Sequence, residues 1–366
     1  MTSKYHTIGC SCGNYDPYEL GASGMRYTTL ADYRPIPPAA QGALFSPELL
    51  KKGYHVSKMA EDIYCVTNGS YQSMFVVTAA GVIVLDAPPL LSAHLFNAIK
   101  EVTDQPVTHF IYSHWHGDHV GAAGIFGPDV TYIAHERTLE MLERWNDERT
   151  PLPTVTFAKD FTLEVNGFVL ELSYKGPNHS DGNLFVYAPK QKVLAVVDVV
   201  MPGWSPFMPC NVAENKRAWV EAHDQILKYD FVAYFGGHST HFGTREDVVA
   251  ARAYVNDMLD ATREALKDAP FGEFVEWIGY SNLWVMYENY FAEMTNFATK
   301  KVLEKVTDNG QTWAQRMAAA DVMTKYHISA LVEALRVEWG SVSQLEYLSL
   351  DYQLGQNRPF RREAGQ

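Results

Sequence analysis

Short apolar runs and stretches with an apolar residue every three or four positions alternate along the chain, and these two textures divide it. From about residue 63 to 235 the runs are brief and rich in β-branched and aromatic side chains, the pattern of strands buried in a sheet. Strands are expected at 63–67, 75–78, 82–85, 107–112, 130–134, 168–174, 184–188, 193–197 and 231–235. Helical spacing falls between them at 92–102, where Leu95, Ile99 and Val102 share a face, and again at 136–145 and 216–227. Strands interleaved with helices argue for a layered α/β domain whose helices lie outside its sheets.

Beyond Thr244 the strand pattern stops. Leu283, Tyr287, Tyr290, Phe291, Met294, Phe297 and Ala298 recur at helical spacing, as do Ile328, Leu331, Val332, Leu335 and Trp339. Such stripes read as packing faces of a helical extension, and they also suit a homodimer contact. At the other end the chain is rich in Gly, Pro and Tyr, with Arg34-Pro35-Ile36-Pro37-Pro38 in its middle, and lacks sustained periodicity. The expected division is an irregular amino-terminal arm over 1–58, a catalytic domain over 59–268 and a helical carboxy-terminal extension over 269–366.

Composition narrows the partners. Of 366 residues 47% are hydrophobic, enough for a sizeable core. Acidic side chains outnumber basic ones 43 to 30, for a formal charge of -13, and no basic tract is present. A nucleic-acid backbone or an anionic membrane would call for clustered Lys and Arg. No run resembles the apolar core of a signal peptide or the roughly 20 apolar residues of a spanning helix. The expectation is a soluble cytoplasmic protein acting on a small molecule. Cys10, Cys12, Cys65 and Cys210 are too few and too scattered for a disulfide framework and read as reduced thiols.

The densest chemistry follows the strand at 107–112. Ser113-His114-Trp115-His116-Gly117-Asp118-His119 sets three histidines and an aspartate within six positions. Imidazole and carboxylate are natural ligands of zinc and similar divalent ions. In an extended stretch His114 and His116 point the same way and can share one ion, while a turn at Gly117 carries Asp118 and His119 toward a second. Three more donors stand where a strand gives way to a loop: His179 within Gly176-Pro177-Asn178-His179, Asp198 after the run 193–197, and His238 after Phe235-Gly236-Gly237. Asp86 ends the strand at 82–85 in the same manner.

With these residues the chain resembles the metallo-β-lactamase superfamily. The His-x-His-x-Asp-His motif stands without departure as His114, His116, Asp118 and His119, and His179, Asp198 and His238 follow in the family's order. The resemblance covers about residues 63–244. It implies a four-layer αββα sandwich with two divalent metal ions at one edge: His114, His116 and His179 on one, Asp118, His119 and His238 on the other, and Asp198 bridging. Zinc is the expected metal; iron and manganese suit the same donors. Asp86 resembles the acid behind the ligands that orients a metal-bound histidine.

The implied chemistry is hydrolysis by a hydroxide bridging the two ions. A bridging Asp198 resembles the glyoxalase II, lactonase and thioesterase branches more than true β-lactamases, so an ester, lactone or thioester bond is the expected target. Two alternatives share the ligand set: amide hydrolysis of the β-lactamase type, and a mononuclear iron oxidoreductase like the persulfide dioxygenases. Asp118 is the candidate for steering the water or moving a proton, and His241, three residues past His238, is a second candidate catalytic group. Trp115 and the proline-stiffened loop residues Trp204, Phe207 and Met208 are candidate pocket walls for an apolar or aromatic acyl group.

Overall fold

A computed structural model describes residues 47–269 and 282–340. Most of the expected arm, with Cys10 and Cys12, lies outside the described residues, as does everything after residue 340.

The strands form two sheets. The first runs in chain order: β1 (His55–Ala60), β2 (Ile63–Thr67), β3 (Gln72–Thr78), β4 (Gly81–Leu85), β5 (Val107–Ile111), β6 (Thr131–His135) and β7 (Val155–Phe157). Tight turns join β1 through β4, which are antiparallel; β4 through β7 are parallel, since each return passes through a longer crossover. The second sheet has the order β12-β11-β10-β9-β8, built from β8 (Asp160–Val165), β9 (Phe168–Tyr174), β10 (Leu184–Ala188), β11 (Val193–Ala195) and β12 (Ala233–Phe235). Only β11 and β12 pair in parallel there.

Strand alternation sorts the side chains into layers. Cys65, Met74, Ile83, Leu85 and Ile111 meet Leu170, Leu172, Val186, Ala195 and Phe235 between the sheets. Their neighbours Phe75, Val84 and Phe110 face outward, against Leu95 and Ile99 of helix α2 (Ser92–Lys100), which follows the short α1 (Pro47–Lys52). Phe185, Leu194 and Tyr234 do the same on the second sheet, against Trp219 and Ile226 of α5 (Lys216–Ile226). Strands β4, β10, β11 and β12 are covered on both faces, which is why they read as continuous apolar runs. The result is an αββα sandwich.

The remaining helices are α3 (Gly117–Val120), α4 (Glu136–Trp145), α6 (Arg245–Asp268), α7 (Leu283–Glu304), α8 (Trp313–Arg316) and α9 (Ala320–Val337). Thr244 starts α6 with a capping box to Asp247. The stripes seen in the sequence bury Tyr290 and Met294 of α7 and Ile328, Leu331 and Leu335 of α9 in the same core as Tyr254 and Met258 of α6. The helical extension therefore continues the outer layer of the second sheet. No helix among the described residues is long and apolar enough to cross a membrane.

Three strands escape the sequence pattern. β1 is only partly buried and begins the sheet at His55, inside the stretch assigned to the arm. β7 has three residues. β8 alternates Phe161, Leu163 and Val165 with exposed polar side chains and pairs with β9 along its whole length.

Candidate metal centre

One edge of the sandwich collects the chemistry. β5 ends at Ile111, and three residues later His114 sits fully buried where the Leu184 N–H donates to the Ser113 carbonyl at 2.9 Å, tying the two sheets together. His116 takes the N-cap position of α3, so the single helical turn buries His119 and leaves Asp118 facing the cleft. His179 lies between β9 and β10. Its backbone N–H donates to Asn178 Oδ1 at 2.6 Å, and buried Asn183 braces that oxygen at 2.6 Å and the Val197 carbonyl at 2.8 Å.

Asp198 follows β11 with φ +63°, a left-handed conformation that costs an L-residue about 1 kcal/mol or more. His238 follows β12 after Gly237, whose φ is +83°. A Cβ at Gly237 would stand 2.6 Å from Val197 Cγ1 and 3.1 Å from His119 Cε1, so glycine lets this loop close on the site.

The donors form two groups, His114, His116, His179 and Asp198 in one and Asp118, His119 and His238 in the other, with the donor atoms of each group within 4.8 Å of one another. His116 Nδ1 lies 2.9 Å from His179 Nε2, and His119 Nε2 lies 3.0 Å from His238 Nε2. Asp198 touches both groups: Oδ2 is 3.3 Å from His179 Nε2, 3.6 Å from His114 Nε2 and 3.1 Å from His119 Nε2, while Oδ1 is 2.9 Å from His238 Nε2.

This set suits divalent cations. Ring nitrogens aimed at one another and at carboxylate oxygens converge on common points, and the buried His114 Nε2 has no hydrogen-bond partner. Its tautomer is fixed from the other side. The Ser113 hydroxyl donates to Asp86 Oδ2 at 2.6 Å and accepts from His114 Nδ1 at 2.8 Å, which leaves the Nε2 lone pair for a metal. Asp86, itself at φ +63° and fully buried, also accepts from the Ser113 N–H at 2.9 Å and lies 3.8 Å from His119 Nδ1.

Electrostatics agree with the donor assignment. Burial keeps His114 and His116 neutral and pushes His179 down to about 3, the state a ligand requires. Burial opposes charge on His119 too, but Asp198, Asp118 and Asp86 outweigh it and lift the imidazole to about 9, so an entering cation displaces a proton there. Burial also opposes charge on Asp198, yet the surrounding histidines hold its carboxyl well below the usual range. Burial raises Asp86 to about 6 against the pull of His119 and Ser113.

A cleft of about 780 Å³ opens over the donors, walled by Tyr71, Leu90, Trp115, Met201, Phe207 and Val212. Trp115 packs edge-on to His116, with ring centroids 4.5 Å apart. Trp204 lines an adjoining chamber instead of the metal cleft. Neither Met208 nor His241 lines either space. The His241 ring pairs with Thr240 Oγ1 at 3.1 Å, and its carbonyl accepts from Gln72 Nε2 at 2.7 Å, so it braces the loop that carries His238.

Two residues at the site were not singled out from the sequence. Tyr71 leans on His238, centroids 4.8 Å apart, and its hydroxyl donates to Asp118 Oδ2 at 3.4 Å. Burial and Asp118 raise Tyr71 to about 12, so it remains a donor at neutral pH. Its one local signal is the Asn68-Gly69-Ser70 turn between β2 and β3, which places Tyr71 just ahead of β3 without encoding its contacts. Glu214 donates its N–H to the His179 carbonyl at 2.8 Å and sets Oε1 4.0 Å from His116 Nε2.

Comparison with known proteins places this geometry. Residues 66–256 match the model of the metallo-beta-lactamase superfamily, and the chain belongs to that superfamily. It is 28% identical over 191 residues to the 2,4-dinitroanisole O-demethylase subunit alpha of Nocardioides sp. (strain JS1661), a match covering 50% of this chain and 57% of that one. The chain thus spans little more than half the length of that relative. It is also 23% identical over 221 residues to the metallo-beta-lactamase type 2 of Bacteroides fragilis, covering 57% of this chain and 87% of the enzyme. Among solved structures, a metallo-beta-lactamase from Pontibacter korlensis aligns over 55% of this chain and 97% of its own, with 21% identity and a TM-score of 0.48.

Proposed function

We propose that the protein is a dinuclear metal-dependent hydrolase, zinc being the fitting metal, that cleaves an ester, lactone or thioester bond in a small molecule with an apolar acyl group. The observation that carries this reading is the Asp198 carboxylate, within 2.9–3.6 Å of histidine nitrogens from both donor groups. A carboxylate in that position suits a pair of ions better than one.

His114, His116, His179 and Asp198 would hold one ion; Asp118, His119, His238 and the second oxygen of Asp198 would hold the other. Bound there, divalent ions supply a water-derived nucleophile at neutral pH and polarise the oxygen under attack. The chain's own residues do the rest. Asp118, half exposed on the cleft side, can accept a proton and pass it to the leaving group, and the Tyr71 hydroxyl fixes the orientation of that carboxylate. Trp115, Leu90, Phe207 and Val212 flank the site with apolar surface on which an apolar group of the substrate can lie.

A hydrolysis screen over lactones, thioesters, aryl esters, phosphodiesters and β-lactams, with metal quantified alongside, tests the reading. Turnover of acyl substrates with two ions per chain is expected. Oxygen consumption with a single iron would overturn it. A second reading is favoured by the similarity to a 2,4-dinitroanisole O-demethylase subunit: cleavage of an aryl methyl ether in the same apolar cleft. Adding 2,4-dinitroanisole to the screen, with release of the nitrophenol as readout, separates the two.

A further inference from the structure

Beside the metal cleft lies a second chamber of about 250 Å³ that shares Ser70, Met201, Phe207 and His238 with it. Its far walls are Trp204 and Pro206 from the loop after β11, Ala319 just before α9, and Met323 within α9. The helical extension thus forms one wall of a space that begins at His238.

This wall is fixed in place by backbone and buried side-chain bonds. The Ser205 N–H donates to the Ala318 carbonyl at 2.9 Å, and the Ala318 N–H donates to the Gly203 carbonyl at 3.0 Å, so loop and extension pair like two strands. Behind them, buried His327 of α9 accepts from the Cys210 N–H at 2.9 Å and meets Ser205 Oγ at 3.2 Å. No Asp, Glu, Lys or Arg lines the chamber. Most of its exposed wall is apolar, so a chain of methylenes laid along it leaves water without breaking hydrogen bonds. Two methionines among the walls give an unbranched occupant the adaptable surface it packs against best.

We propose that this chamber is an acyl-chain subsite, filled by the unbranched hydrocarbon arm of the substrate while its carbonyl end sits over the metals, and that α9 sets the length of chain accepted. The proposal rests on the acyl-hydrolase reading above and specifies its substrate class.

The test is calorimetric titration of the metal-loaded full chain with straight-chain carboxylates from four to ten carbons, which are products of the proposed reaction. Burial of each methylene is worth about 0.8 kcal/mol, so affinity rises about fourfold per added carbon until the chamber is full. Met323→Trp, which fills the chamber, removes those increments while butanoate binding and metal content stay unchanged. Met323→Ala extends the series by further carbons. Affinity independent of chain length, or increments that survive in Met323→Trp, would overturn the proposal. Chain-length-dependent binding without hydrolysis of any acyl substrate would retain the subsite and reject the hydrolase reading.

Discussion

Ser113 links a buried acid to a metal-binding histidine through one hydroxyl, donating to Asp86 and accepting from His114. Ser113→Ala breaks that link without touching a donor atom. Metal affinity measured by competition with a chromophoric chelator should fall about 10- to 100-fold, the usual effect of removing a group that orients a ligand; unchanged affinity would show that packing alone holds the His114 ring. At this scale the sequence was informative where a rare residue type closed an apolar run. Asp198 met that condition, His114, His116, Asp118 and His119 stood as a dense motif just past a strand, and His179 and His238 stood where a strand gives way to a loop; the structure brings them together. Tyr71 and Glu214 met none of these conditions. Each reaches the site through contacts far apart in sequence, Tyr71 with Asp118 across 47 residues and Glu214 with His116 across nearly a hundred, and no local pattern encodes such a contact.

Elements were legible in proportion to their burial. Strands with no exposed position, such as β2 and β10, carry nearly continuous apolar runs and were read with their boundaries intact, as were β9 and α4. β1 and the three-residue β7 lie at the edges of the first sheet and β8 at an edge of the second, where half-exposed positions dilute the signal. The pairing between the loop after β11 and the segment before α9 was also invisible, because it is made by backbone groups. His327 holds that junction from α9, and a substitution there tests how much it matters. His327→Leu leaves the Cys210 N–H buried without an acceptor, which should cost about 1–3 kcal/mol in urea denaturation. Metal content should be retained, since His327 belongs to neither donor group; equal stability of variant and parent would mean that the loop does not depend on this bond.

At the scale of the whole molecule, acid should unfold the protein from within. Burial lowers both His223 and His327 from the ordinary 6.5 to about 4, so between those values the unfolded chain binds protons that the folded chain refuses. Their contribution to stability is complete above pH 6.5 and is lost as pH falls toward 4, at up to about 1.4 kcal/mol per pH unit for each histidine. His114, His116 and His179, also lowered by burial, act in the same direction, while His119, raised to about 9, acts in the opposite one. Urea midpoints collected from pH 7.5 to 4.5 should therefore decline, with a shallower slope in His327→Leu; parallel slopes would remove His327 from this account. The acidic balance of the chain also reads differently beside the site, because seven of its His and Asp side chains are gathered at one edge and five of those are histidines. What that cluster holds is the central question, and metal content per chain answers it most directly. Elemental analysis of the purified protein should give two divalent ions per chain, falling to one or none in Asp198→Ala. A single ion in the parent, or two ions in the variant, would contradict a dinuclear centre joined by Asp198.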